Sequence, residues 1–331
     1  MMKSWCLVVL GLWGCAAEVE VAGGGDGDGD GEGVSAQPLG GGCNDLICPG
    51  NSDIIAALGP FELDAARLES SSRGFRIAGI KLGGLSVLDL QIDGTAVHAM
   101  TSAGMATGPG IIGMTMTLSH KSGATFDLVV DGYLSTKVPY YAGGPNEIEG
   151  YHIAYREPAT RELKDICPYK DYDAGVARTW AVFWKGDRYD PDTGLIYASG
   201  AAVGSWFNLS CAGEATIKML RARTGGAVAP GSPVAQRQAT LNMFTASYCG
   251  ATGQRYTELG QDLAWSDLSG PSQMGPVASH EAIWSESGAV CLSTPRLYPL
   301  DKINCAIPRP PCTAAMIGDW ESYGWLVSGN P

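Results

Sequence analysis

The sequence predicts an α+β, strand-rich antiparallel unit with about two helices, stapled by disulfides and preceded by a disordered tether. Three observations predict it. Short runs alternating apolar and polar residues, bounded by glycine or Asp-Gly, recur from about Arg76 onward, as half-buried strands in hairpins require. Two stretches between 210 and 250 carry helix-forming residues or helix punctuation. Eight cysteines, an even number, lie beyond the N-terminal apolar stretch and Cys15. With 45% hydrophobic and 17% charged residues, a chain of 331 residues has ample material for a core.

The elements follow in chain order. Lys3 and the apolar run Trp5–Trp13 read as a signal peptide over residues 1–14, too short to span a bilayer as a mature helix. Leu12-Trp13-Gly14-Cys15 resembles a bacterial lipobox, with the bulky Trp13 a departure from it. The reading is that Cys15 is lipidated and anchors the protein to a membrane, against an ordinary secretory signal cut near Ala16 or Ala17. The implied location is the cell envelope, at the outer membrane or cell surface; the alternative is secretion.

Residues 15–42 form an acidic, Gly-rich flexible tether, too polar to offset the entropy of ordering it. As a random coil it would span roughly 30 Å. Its Asp26, Asp28, Asp30 and Gly31 imitate the start of a calcium loop, but such a loop needs a bidentate Glu where Gln37 stands, and no amphipathic helix flanks it. Much of the net charge of −12 sits here. Without Glu18, Glu20, Asp26, Asp28, Asp30, Glu32 and Lys3, 28 acids face 21 bases, which argues against a nucleic-acid partner.

Residues 43–150 read as a β-rich N-terminal part and 151–331 as a Cys-rich part of the same unit. Strands are expected at 75–80, 86–90, 113–118, 126–130, 151–155, 179–184 and 194–198. A first helix is expected to follow Ser210-Cys211 and run through about Arg223, with Glu214, Ala215, Ile217, Met219 and Leu220 as helix formers. A second has Ser232 as N-cap, Pro233 at the first helical position and an apolar stripe of Val234, Leu241, Phe244 and Tyr248. Residues 251–331, rich in Gly, Pro and Ser, read as loop-rich and stapled by cysteines.

Candidate sites are few. Asp187, Asp190 and Asp192 offer oxygen ligands for a cation, but Asp190-Pro191-Asp192-Thr193-Gly194 also has the composition of a hairpin turn, which is favoured. His98, His120, His152 and His280 are scattered, and the His280-Glu281 start of a zinc motif lacks its second histidine at Trp284. No cofactor fingerprint appears, and neither cofactor nor metal is expected. A Ser/His/Asp site dispersed along the chain has no sequence support. The seven tryptophans after the signal are assigned mainly to the core, with Trp180 and Trp184 on one side of a strand. Cys43, Cys48, Cys167, Cys211, Cys249, Cys291, Cys305 and Cys312 are expected as four disulfides in an oxidising compartment. The expected pairs are Cys43–Cys48, Cys167–Cys211, Cys249–Cys291 and Cys305–Cys312, other connectivities remaining open.

The run Gln238–Gly250, with Ala246-Ser247-Tyr248-Cys249 at its end, resembles the signature of the ADYC domain, with Ser247 in place of the eponymous Asp. Further matches in order are Ile166-Cys167-Pro168, Gly186–Asp190 leading to Thr193-Gly194, Phe207–Cys211, Ile217-Lys218 and Gly288–Leu292. The resemblance covers about residues 150–300. It implies an exported, often lipid-anchored protein of a family found mainly in myxobacteria, and no particular activity. Relatives tend to carry cysteines at the positions of Met219 and Thr240, which implies that these two residues lie close together. The functional expectation is a non-catalytic surface module binding a protein or glycan; the alternative is an extracellular hydrolase with a dispersed site.

Overall fold

A computed structural model describes residues 62–139, 147–156, 160–167, 180–185, 187–190, 193–197, 205–211, 214–221, 232–250, 254–258, 261, 263–267, 270–271 and 279–330. All lie in one compact unit, residues 40–331. The signal peptide, Cys15, the tether, Cys43, Cys48 and Asp192 lie outside the described residues.

Nineteen strands and three α-helices occupy these residues. The N-terminal strands are β1 (Glu62–Asp64), β2 (Phe75–Leu82), β3 (Leu85–Ser86), β4 (Asp89–Asp93), β5 (Ala96–Thr101) and β6 (Gly104–Thr107). The central ones are β7 (Thr115–His120), β8 (Thr125–Pro139), β9 (Glu147–Arg156), β10 (Leu163–Asp165), β11 (Ala181–Lys185), β12 (Arg188–Tyr189), β13 (Ile196–Tyr197) and β14 (Trp206–Cys211). Helices α1 (Ala215–Arg221) and α2 (Val234–Phe244) follow. The chain continues through β15 (Ala264–Asp267), β16 (Gly270–Pro271), β17 (Ser279–Ser285), β18 (Gly288–Leu292), α3 (Ala314–Gly318) and β19 (Leu326–Asn330).

A nine-stranded antiparallel sheet runs β1-β14-β11-β9-β8-β7-β2-β3, with β10 added to β9. A three-stranded sheet β4-β5-β6, a hairpin β12-β13 and a five-stranded sheet β16-β15-β19-β17-β18 complete the topology. Residue 150 falls within β9, the central partner of β8 and β11, so the strands before and after it share one sheet.

Strand β11 shows how the layers stack. Ala181 and Phe183 join a core with Leu90, Ile92, Val97 and Ala99 of the three-stranded sheet. Val182 and Trp184 join a second core with α1, α2 and the five-stranded sheet. Successive side chains of a strand point to opposite faces, so the large sheet is covered on both sides. Tyr151 ties two layers together: its phenol hydrogen-bonds Glu149 (2.6 Å) and accepts from the Val97 N–H of β5 (3.2 Å). Burial, then the Glu149 carboxylate, raises the Tyr151 pKa.

One expectation here, the N-cap of the second helix, needs correction. Helix α1 follows Ser210-Cys211 as expected: these two residues end β14, which is buried at every position, and the Glu214 carboxylate accepts from the Cys211 N–H (3.0 Å). Pro233, not Ser232, is the N-cap of α2, with extended ψ and no side-chain cap bond. Residues 251–331 combine loops with the five strands of the smaller sheet. Four of the five strands in the smaller sheet bear no alternation, because Ala282–Trp284, for example, is buried on both faces.

Helix α2 lacks the expected single stripe. From Gln236 to Phe244 it is buried all round, so its polar residues need internal partners. Gln238 bridges the Ile196 N–H (2.8 Å) and the Gly194 carbonyl (2.9 Å). Asn242 donates to the carbonyls of Ser285 and Glu286. Met219 and Thr240 are both fully buried, on helices α1 and α2 that pack against each other.

Candidate functional site

A groove of about 650 Å³ with room for a ligand lies between the three-stranded sheet and the start of β14. All five residues of β4, Asp89 to Asp93, line one wall. Ser205, Trp206, Phe207, Lys185, Ala65 and Ala66 line the other, with His98 and Met105 at the rim. The Trp206 wall is rigid for a definable reason. Arg188 lays its guanidinium 3.8 Å from the Trp206 ring and makes two hydrogen bonds, 2.9 and 3.1 Å, to the buried Glu62 of β1. Such a bidentate, stacked arginine fixes both partners. Beneath Ala65 and Ala66, Asp64 accepts from the N–H groups of Ala66 (2.9 Å), Leu68 (2.8 Å) and Glu69 (3.0 Å). Burial alone raises its pKa, but the bond from Ser205 and these N–H groups outweigh it and lower the value.

A second constellation is buried. After α2 the chain closes with Ala246 in the left-handed region (φ 48°). The Ser247 N–H donates to Asn242 O (2.8 Å) and the Ala246 N–H to Met243 O (3.1 Å), the two bonds of a Schellman ending. The Ser247 hydroxyl pairs with that of Thr245 (2.8 Å). Tyr248 is stacked on Trp284 (centroids 5.4 Å apart) and donates its hydroxyl to Glu281. Glu281 also takes Arg296 Nε (2.7 Å), Arg296 Nη2 (2.5 Å) and Ser328 Oγ (2.7 Å), and Ser328 accepts from the Trp284 indole (2.7 Å). Burial, then the Glu281 charge, raises the Tyr248 pKa. Burial would lower that of Arg296, but Glu281 reverses the direction and keeps it protonated. With Glu281 and Tyr248 fully buried, the signature residues cannot meet a substrate without local opening.

The residues singled out by sequence fall in three places. Asp187 is fully buried and forms a bidentate pair with Arg237 of α2 (2.5 and 2.9 Å), so its carboxylate is occupied. Asp190 accepts from the Thr193 N–H (3.2 Å), and Gly194 takes φ 73° in the turn joining β12 to β13. Asp187 and Asp190 thus serve a helix contact and a hairpin. Among the described residues no group of three or more His, Cys, Asp or Glu is arranged to hold a metal.

The six described cysteines form three disulfides. Cys167–Cys211 is as expected, but Cys249 bonds Cys305 and Cys291 bonds Cys312, not the expected Cys249–Cys291 and Cys305–Cys312. The cause is topological: Cys291 sits on β18, which faces the segment leading into α3, whereas Cys249 lies beyond the helix end, beside the loop carrying Cys305.

His98 lines the groove, and His152 stacks on Trp180 at 3.6 Å. His120 Nδ1 lies 2.7 Å from Ser122 Oγ, with Nε2 3.1 Å from the Arg73 carbonyl, in the exposed β7–β8 turn. A backbone carbonyl thus stands where a triad would place its carboxylate. Trp184, Trp206, Trp265 and Trp284 are buried, while Trp180, Trp320 and Trp325 are half-buried. Sequence reasoning missed the groove, because its walls come from segments more than a hundred residues apart. It also missed Arg237, Glu281 and Arg296; a charge inside a predicted buried helix was the one available signal, and only for Arg237.

Neither the curated proteins nor the solved structures give a match to this chain. The family model described as ADYC domain matches residues 108–298, more than half of the chain. The match begins well before residue 150 and takes in β7 and β8 as well as the signature around Tyr248, so the chain belongs to the ADYC domain family.

Proposed function

We propose that this protein is a lipid-anchored component of the cell envelope, at the outer membrane or cell surface, whose folded unit is a non-catalytic binding module working through the groove beside β4. The observation that carries the reading is the contrast between its two polar constellations. Glu281, Arg296 and Tyr248 are sealed in the interior and bonded to one another. Asp89, Gln91, Asp93 and His98 stand at an open groove. Shaped clefts with a few polar groups are where ligands bind. The lipobox-like Leu12–Cys15 and the disulfides support export, since such bonds persist in oxidising compartments.

Two measurements test this. Metabolic acyl labelling of the wild-type chain and Cys15→Ala should show label and membrane retention only with Cys15; retention of both by the variant removes the anchor. Amide shifts of the purified protein against oligosaccharides and peptides should cluster on β4 and Trp206. Turnover of a chromogenic ester that is lost in His120→Ala or Ser122→Ala would overturn the binding reading in favour of hydrolysis.

A further inference from the structure

We infer that the groove takes an extended peptide segment of a partner protein as an added strand on β4, and that it selects basic residues four positions apart. The inference rests on the binding-module reading above and names its ligand.

The geometry begins with the β4–β5 hairpin. Asp93 pairs with Ala96 across a two-residue turn, followed by Gln91 with His98 and Asp89 with Met100. In a two-residue hairpin the pair flanking the turn exchanges hydrogen bonds, and such pairs alternate along the ladder. Asp93, Gln91 and Asp89 therefore direct their backbone groups at β5. Just before β4 the Leu88 N–H also donates to Met100 O (2.7 Å), one residue out of that phase, so the regular ladder begins at Asp89. Leu90 and Ile92, the intervening residues, direct N–H and C=O the other way, into the groove.

Strand β4 is an edge of its sheet, and among the described residues nothing hydrogen-bonds these outward groups of Leu90 and Ile92. That five consecutive residues line one wall is itself the mark of a strand edge, since a strand face would contribute alternate residues only. Unpaired strand edges are templates for another strand. Here the edge is recessed behind the Trp206 wall, so a flat sheet cannot reach it and a single strand can. The recess is also short. The Gly94 carbonyl accepts from Lys185 N (3.1 Å) at one end, and Arg67 Nη2 donates to the Val87 carbonyl (2.8 Å) at the other. Between them lie the five residues of β4, about 17 Å of strand.

Side-chain direction sets the selectivity. Asp89, Gln91 and Asp93 share the exposed face, while Leu90 and Ile92 are buried. In an antiparallel addition, the second and fourth residues of the peptide pair with Ile92 and Leu90 and turn their side chains inward, beside Trp206 and Phe207. The first and fifth stand opposite Asp93 and Asp89 on the open face. Opposite charges directly across a ladder attract. The fitting pattern is basic, apolar, polar, apolar, basic.

The probe is Lys-Val-Ser-Val-Lys, capped at both ends and labelled for fluorescence anisotropy against the full chain. Three peptides accompany it: one with Glu for both Lys, one N-methylated on both Val residues, and the neutral sugar chitohexaose. The lysine peptide should bind and protect the Leu90 and Ile92 amides from hydrogen exchange. The glutamate peptide, the N-methylated peptide, and the exposed-site variants Asp89→Asn and Asp93→Asn together should each weaken binding at least about tenfold. Raised salt should weaken it further. Binding that ignores N-methylation, or that leaves the Leu90 and Ile92 amides unprotected, overturns strand addition. Shifts on β4 with chitohexaose but none with the lysine peptide overturn it while leaving the binding module intact. Absence of any ligand together with ester turnover overturns both.

Discussion

The Tyr248 hydroxyl is bonded to the Glu281 carboxylate, and the same carboxylate holds the guanidinium of Arg296 through two bonds of 2.5 and 2.7 Å. This places the family signature, at the end of α2, directly on the five-stranded sheet. Both charges of the pair are removed from solvent. Their attraction in place of hydration is what makes the arrangement all-or-none.

Breaking one side should therefore cost far more than replacing both. Arg296→Met leaves the Glu281 carboxylate buried with no cation, only two hydroxyls and the backbone N–H of residue 296 as partners, and Glu281→Met strands the guanidinium. Each should destabilise by about 3–5 kcal/mol in urea unfolding. The double replacement should lose clearly less than the sum of the two. Additive costs would show that the pair does not act as a unit.

Tyr248 and Tyr151 give the same interior a spectroscopic readout. Burial and a neighbouring carboxylate raise both pKa values above the ordinary 10.0. A group whose folded pKa is raised contributes stability that is intact below its unfolded value and lost as pH climbs beyond it. The readout is a titration at 295 nm, in which the Tyr151 and Tyr248 hydroxyls should stay protonated past pH 10 while the chain is folded. Tyr151 and Tyr248 should ionise only with unfolding, which should become easier above pH 10. Ionisation of Tyr151 and Tyr248 before the chain unfolds would refute the buried contacts.

The disulfide topology predicts a distinct fragment pattern. Non-reducing proteolysis should release Cys249 joined to Cys305 and Cys291 joined to Cys312. The closed loops span 56 and 21 residues. Removing the first pair by Cys→Ala at both positions should cost about 4 kcal/mol and the second about 3. A Cys249–Cys291 fragment would overturn this arrangement.

What the sequence showed clearly were strands with one dry and one wet face. In β2, Phe75 and Ile77 are buried with Arg76 exposed between them, and that alternation is visible in the letters. β14 and β17 are covered on both faces and show no alternation, so neither was read as a strand. Asp187 lies fifty residues from Arg237, and Glu281 fifteen from Arg296; no local spacing relates either pair. The β12–β13 turn was legible because Asp190 and Gly194 act within their own segment. The groove was not, because an unpaired edge is a property of the whole sheet order.

Gly288 is held by close backbone approach. Its φ is +98°, and a Cβ there would lie 2.5 Å from Gly250 N and 2.6 Å from the Tyr248 carbonyl oxygen. Neither atom can move without disturbing the signature turn, because Tyr248 O already accepts from the Ala289 N–H (3.0 Å). Gly288→Ala should cost at least about 2 kcal/mol through combined strain and overlap. Gly83→Ala, where no atom lies within 4 Å, should cost only the φ penalty of about 1 kcal/mol. Equal losses at the two sites would show that contact with the signature turn adds nothing.

Acid should act on the groove wall through Asp64. Its carboxylate gathers the N–H groups of Ala66, Leu68 and Glu69 beneath the groove, and its pKa is lowered from 3.8. A carboxylate with a depressed folded pKa contributes stability that is complete above its unfolded value and lost as pH falls through the folded one. That contribution should therefore be constant at neutral pH and disappear below about pH 3.8. Asp64→Asn keeps the shape but removes the charge, and should cost about 2 kcal/mol at pH 7. The gap between wild type and variant should narrow as pH is taken below 3.8. A gap of constant size down to pH 2 would mean that the Asp64 charge contributes nothing to holding Ala65 and Ala66 against the groove.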